Sequence, residues 1–134
     1  LNSTNLNTMQ DNIENAIATV IESGSNSRGS YIKYSDGTMI CTATKETGVI
    51  SWTADAVDNV FLSSGTFDDF PQTFINVPHV VKSIEYITPN NRYIDMCGKG
   101  APSTTNAGSF NLKTYWNASN TNVRMSYIAI GKWK

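Results

Sequence analysis

The chain has 134 residues, 16% of them charged, and a net charge of -1 at neutral pH. That length holds one domain with a sizeable core and leaves no room for a second. The 10 Lys and Arg residues are scattered, which excludes the footprint of a nucleic-acid or anionic-membrane binder and makes uncharged partners the expectation. No apolar run approaches a membrane span and residues 1–9 are polar, so neither insertion nor a signal peptide is expected. The chain opens on Leu1 rather than Met, as expected of the C-terminal piece of something longer.

In residues 1–23, Leu6, Met9, Ile13, Ala16 and Val20 recur at alternating spacings of three and four, with Ile17 and Ile21 widening the seam. That pattern predicts an amphipathic helix over residues 2–23. Asn and Thr make it a weak helix on its own, so the seam needs cover. Either a short coiled coil of two or three strands forms on Leu6, Met9, Ile13, Ile17 and Val20, or the helix lies on its own domain's sheet. Residues 24–29 read as a linker.

Residues 30–134 break into short β-like segments. Asp36-Gly37 between two alternating runs predicts a hairpin, and residues 49–53 a strand. Phe67, Phe70 and Phe74 gather around Pro71. Pro78 belongs at a strand entrance or a sheet edge. Pro89-Asn90-Asn91 reads as a turn and residues 92–97 as a strand. Near the C-terminus Phe110, Leu112 and Thr114, then Val123, Met125, Tyr127 and Ala129, each share a face, predicting a hairpin around a polar tip, residues 116–122. Strands at these intervals predict an antiparallel sandwich or barrel.

Little in the sequence suggests catalysis. His79, the only histidine, sits among valines and reads as structural. Asp68-Asp69 is the one carboxylate pair, and neighbours on an extended chain face opposite ways. Cys41 and Cys97 lack metal or redox spacing and read as buried free thiols, with a disulfide left open. No metal or other cofactor is expected. Binding is the better reading: Trp116 offers a ring for the apolar face of a sugar, Asn117 follows it, and Asn90, Asn91 and Arg92 supply hydrogen-bonding groups. These five meet at one end of a sheet if the strand after Arg92 lies near the C-terminal hairpin. Alternatively Trp116 packs inward and the Asn run is turn chemistry.

Two resemblances cover most of residues 29–134. The stretch from Gly29 through Tyr31, Lys33, Asp36-Gly37-Thr38 to Cys41, the aromatic-proline segment 67–78 and the ending 126–133 resemble C-terminal domains of bacteriophage and prophage tail fibres. That resemblance implies a trimeric tip behind a short coiled coil, which recognises the bacterial surface. Asn90-Asn91-Arg92, Trp116-Asn117 and the strand from Ser126 resemble the sugar-site elements of H-type lectins, implying a six-stranded antiparallel sandwich with its carbohydrate site at Asn90, Asn91, Arg92, Trp116 and Asn117. The Trp loop is slightly longer here, and Asn follows the Trp.

Together these lead to a mainly β, H-type-lectin-like sandwich (residues 30–134) trimerised through residues 1–23. Its expected role is that of a non-catalytic receptor-binding tip of a tail fibre or phage-derived particle. The expected partners are a bacterial cell-surface polysaccharide, two further copies of the chain and the fibre N-terminal to it. A ligand-free capping knob is the alternative, and a glycan hydrolase using Asp68 or Asp69 a more distant one.

Overall fold

The computed structural model describes residues 2–55, 60–87, 93–115 and 121–134, with residues 14–16 described by backbone alone. It opens with α1, Ser3–Ala16, whose first turn is capped by the Asn2 side chain accepting from the Asn5 amide at 2.9 Å. The helix expected to reach residue 23 stops here. Ile17 is extended and acts as its C-cap, and Val20–Asn26 forms β1. The reason lies in Thr19-Val20-Ile21, three β-branched residues that favour extended backbone. Main-chain bonds to the neighbouring strand then fix it: the Ser35 amide donates to the Thr19 carbonyl at 2.8 Å.

The expected linker at residues 24–29 is likewise a correction. Gly24, Ser25 and Asn26 pair with Tyr31, Ser30 and Gly29. Gly24 is there for space, since a Cβ would sit 2.9 Å from the Tyr31 ring. The β portion therefore begins at Val20, ten residues ahead of expectation.

After β2 (Gly29–Tyr34) and β3 (Thr38–Glu46) come β4 (Thr53–Asp55), β5 (Val60–Thr66), β6 (His79–Tyr86), β7 (Asp95–Gly98), β8 (Ser109–Thr114) and β9 (Val123–Lys132). The β2–β3 connection is the expected Asp-Gly turn, with Gly37 at φ +85° and the Asp36 carboxylate accepting from the Thr38 amide at 2.8 Å. Among the described residues the strands pair antiparallel, in a five-stranded sheet β1-β2-β3-β9-β6 and a four-stranded sheet β4-β5-β8-β7. As expected, Pro78 stands at the entrance of an edge strand, β6. The strand expected at residues 49–53 begins only at Thr53.

One further expectation is corrected: β8 and β9 do not form a hairpin. β8 pairs with β5 and β7, while β9 pairs with β3 and β6. The chain therefore leaves the smaller sheet at Thr114 and enters the larger one at Val123.

The two sheets share one core. Met39, Cys41, Met125, Tyr127 and Ala129 face inward from the larger sheet, Phe110 and Leu112 from the smaller. Phe67 joins them, its ring 5.4 Å from Phe110 and 5.3 Å from Tyr127. Phe70 and Phe74 complete the packing edge to face. Cys41 is fully buried, and burial pushes its thiol up to about 11. Cys97 departs from the buried-thiol expectation: it is exposed on the short edge strand β7. Trp52 and Trp133 pack partly buried against the core, Trp133 donating through Nε1 to the Tyr34 carbonyl at 3.1 Å.

Candidate functional site

Asn90, Asn91, Arg92, Trp116 and Asn117 lie outside the described residues. Their flanks converge on one end of the molecule. Tyr86, the last residue of β6, pairs with Val123, the first of β9, and the Ile87 amide donates to the Asn122 carbonyl at 3.2 Å. On the other sheet, Thr114 donates through Oγ1 to the Tyr93 carbonyl at 2.8 Å. The two sheets are tied together here, because the Ile94 amide donates to the Tyr86 hydroxyl and the Ile50 amide to the carbonyl of buried Thr121 at 3.0 Å. Segments 88–92 and 116–120 thus start and finish on a common, hydrogen-bonded base.

That base carries two residues that the sequence reading missed. Asp95 pairs with Lys113 and Met96 with Leu112, so continuing the register sets Tyr93 opposite Tyr115. Both point outward by the alternation that buries Ile94, Leu112 and Thr114. They are 61% and 57% exposed. The signal was present, since Tyr93 follows Arg92 and Tyr115 precedes Trp116. Behind them the outer face of the four-stranded sheet continues with Asp95, Lys113, Asn111 and Ser64, and a shallow groove of about 390 Å³ runs between Thr53, Ser64, Lys99 and Asn111. Rings that display a flat apolar face beside amide, hydroxyl and charged groups suit a polyhydroxylated ligand.

The outer face of the five-stranded sheet has another chemistry. Ile32, Ile40 and Ile130 stand side by side across three strands, and Ile128 pairs with Val81 one rung away. Ile128 is 49% and Ile130 45% exposed. The apolar patch ends at a row of hydroxyls, Thr44, Ser126 and Ser83, and beyond it Arg124 lies between Glu46 and Glu85 with a guanidinium nitrogen 3.1 Å from each carboxylate. Hydrogen bonds to Glu46 and then Glu85 raise the Arg124 pKa. Of the predicted oligomerisation seam, Leu6, Met9 and Ile13 are exposed on α1, which packs along no strand among the described residues. Ile17 and Val20 are also exposed, but they belong to the cap and to β1 rather than to the helix.

Asp68 and Asp69 sit beyond β5 at the far end of the smaller sheet, each facing a cation. Lys45 Nζ is 3.1 Å from Asp68, and Arg28 is 4.0 Å from Asp69. Asn106 braces the segment by donating to the Phe67 carbonyl at 2.8 Å and to Asp69 at 3.3 Å. His79 is exposed at the start of β6. No helix among the described residues is long and apolar enough to cross a membrane.

No family model matches the chain, and no curated protein does. Among solved structures it is similar to a C-terminal fragment of the R1 pyocin fibre of P. aeruginosa, with TM-score 0.58 and 18% identity over 91% of this chain. It spans 30% of that fragment's length. It is also similar to an N-truncated R1-type pyocin tail fibre, with TM-score 0.57 and 18% identity over 93% of this chain and 94% of that one. At such identity the likeness is one of fold.

Proposed function

We propose that this chain is the receptor-binding tip of a phage or phage-like tail fibre and that it binds a bacterial cell-surface glycan without cleaving it. The observation that carries the reading is the exposed Tyr93 and Tyr115 pair at the base shared by segments 88–92 and 116–120. A pyranose stacks on these rings and on Trp116, while Asn90, Asn91, Arg92 and Asn117 hold its hydroxyls in a lectin-like arrangement. The fold shared with pyocin tail fibres supports a place at the tip of such a particle.

Three copies assemble through Leu6, Met9 and Ile13 of α1 together with the isoleucine face of the larger sheet, and three equivalent sites turn weak single contacts into avidity. Binding of the labelled protein to intact bacteria and to purified envelope polysaccharides tests this, with the solution mass taken on the same sample. Saturable binding by a trimer, competed by one polysaccharide and lost in Trp116→Ala, is the expected result. Binding unchanged in both Trp116→Ala and the Tyr93→Ala/Tyr115→Ala double variant refutes the site.

A ligand-free capping knob is the second reading, favoured by the isoleucine face and the exposed helix seam. It predicts a trimer with no affinity for any envelope.

A further inference from the structure

A cavity of about 360 Å³ opens between the β1–β2 turn, the end of β3 and the segment after β5, with Arg28, Lys45, Phe67, Asp68 and Tyr127 in its wall. Through Arg28, Phe67 and Asp68 it adjoins a wider groove of about 790 Å³ that also takes in Asp69 and Asn106. Tyr127 is 2% exposed. Among the described residues its hydroxyl is the one buried side-chain oxygen or nitrogen without a hydrogen-bond partner. Such a group destabilises a fold until something supplies the missing bond. The ring has little freedom to turn away, because Phe67 and Phe70 pack against it at 5.3 and 5.4 Å. Burial, with Cys41 and Asp68 nearby, pushes the phenol up to about 12, so it remains a neutral donor and acceptor.

Counting Asp69 of the adjoining groove, the charges around the opening balance. Lys45 faces Asp68 at 3.1 Å, and Arg28 reaches Asp69 only at 4.0 Å, so its fork of donors is weakly engaged. A balanced rim favours neither a phosphate nor an ammonium group. A carboxylate, a guanidinium and a phenol with hydrogen-bonding capacity to spare complement the hydroxyls of an uncharged ring.

We propose that this cavity is a binding site for a neutral sugar, in which one ring hydroxyl bonds to the Tyr127 hydroxyl and an adjacent diol is held by Asp68 and Arg28. The site is separate from the tyrosine pair, lying at the Thr66 and Ser109 end of β5 and β8 rather than at the Phe61 and Thr114 end. It requires no contact with residues 88–92 or 116–120.

The test is a titration of the whole chain, followed by backbone amide shifts, with methyl α-mannoside, methyl β-galactoside, N-acetylglucosamine and inorganic phosphate. At least one sugar is expected to shift the amides of residues 43–45 and 67–69 saturably, while phosphate does not. Tyr127→Phe is expected to weaken that sugar about tenfold, the loss of one hydrogen bond. It should also melt at a higher temperature without ligand, because the orphaned hydroxyl is gone. Asp68→Asn, on an exposed side chain, provides a second variant and is expected to weaken the same sugar. No saturable shift with any sugar, shifts with phosphate alone, or unchanged binding in both variants overturns the proposal. Shifts at residues 93–95 and 113–115 read the other site, so the two outcomes remain distinct.

Discussion

The two outer faces of this molecule differ as sharply as an inside from an outside. On the five-stranded sheet, Ile32, Ile40, Ile128, Ile130 and Val81 form an apolar field across four strands. On the four-stranded sheet, the outward positions are mostly tyrosines, amides, hydroxyls and charges, with Leu62 and Cys97 among them. Both faces cover the same core, so packing within the chain does not account for the difference. A sheet face of isoleucines is suited to another protein surface, and a polar face with exposed rings to a hydroxylated ligand. Under the function proposed above, the isoleucine sheet serves assembly and the polar sheet recognition.

Breaking the shared core gives the largest effect. Phe67 touches the inward residues of both sheets, and Phe67→Ala is expected to cost about 3–5 kcal/mol, measured by denaturant unfolding. Loss of stability without cooperative loss of both sheets would show that the faces do not depend on one core. Next, the Ile128→Glu/Ile130→Glu pair places charge in the middle of the apolar field. Sedimentation is expected to show monomers, since an interface there must bury two unpaired carboxylates, while circular dichroism stays unchanged. A trimer surviving this change would assign assembly to α1 alone.

A smaller effect is expected on the other face. Tyr93→Ala or Tyr115→Ala should weaken envelope binding about tenfold through lost ring contact, with the solution mass unaltered. Should either change the mass instead, the division of roles between the faces is wrong. The smallest effect concerns the edge at β1. Glu22 accepts from the Tyr31 hydroxyl and from Lys33, at 2.7 and 3.0 Å, and these bonds hold its pKa below the usual value. With a folded pKa depressed, its contribution is present above the unfolded pKa and lost as pH falls through the folded one. Protection of the β1 amides, taken relative to their intrinsic exchange rate at each pH, is therefore expected to fall at acid pH, and Glu22→Gln to remove that dependence.

Several of these features were legible in the sequence because a local rule governs them. Asp36-Gly37 dictates its own turn, Pro78 its own edge, and Phe110-Leu112-Thr114 its own inward face. The end of α1 was not legible, since Val20 and Ile21 satisfy a helical seam and an extended strand equally well. Partnership was hidden for a different reason. Period-two alternation says which side chains share a face but not which sheet a strand joins, so β8 and β9 read as a hairpin. In Tyr127-Ile128-Ala129-Ile130 both faces are apolar, and only the fold tells that Tyr127 and Ala129 are core while Ile128 and Ile130 lie outside. As for the binding residues, the five inferred from sequence lie outside the described residues, and the described tyrosines beside them were passed over in favour of the indole.

The placing of β8 and β9 in different sheets has a mechanical side. A pull at the start of β9 enters at Val123, while a pull on α1 enters β1 at Val20, at the opposite end of the larger sheet. Tension between the two runs along the strands and slides neighbours past one another, so the β3–β9 ladder from Thr38–Lys132 to Glu46–Arg124 resists it as a whole. Peeling would break those bonds one at a time. If the chain serves as the proposed fibre tip, a load along the fibre meets shear rather than peeling.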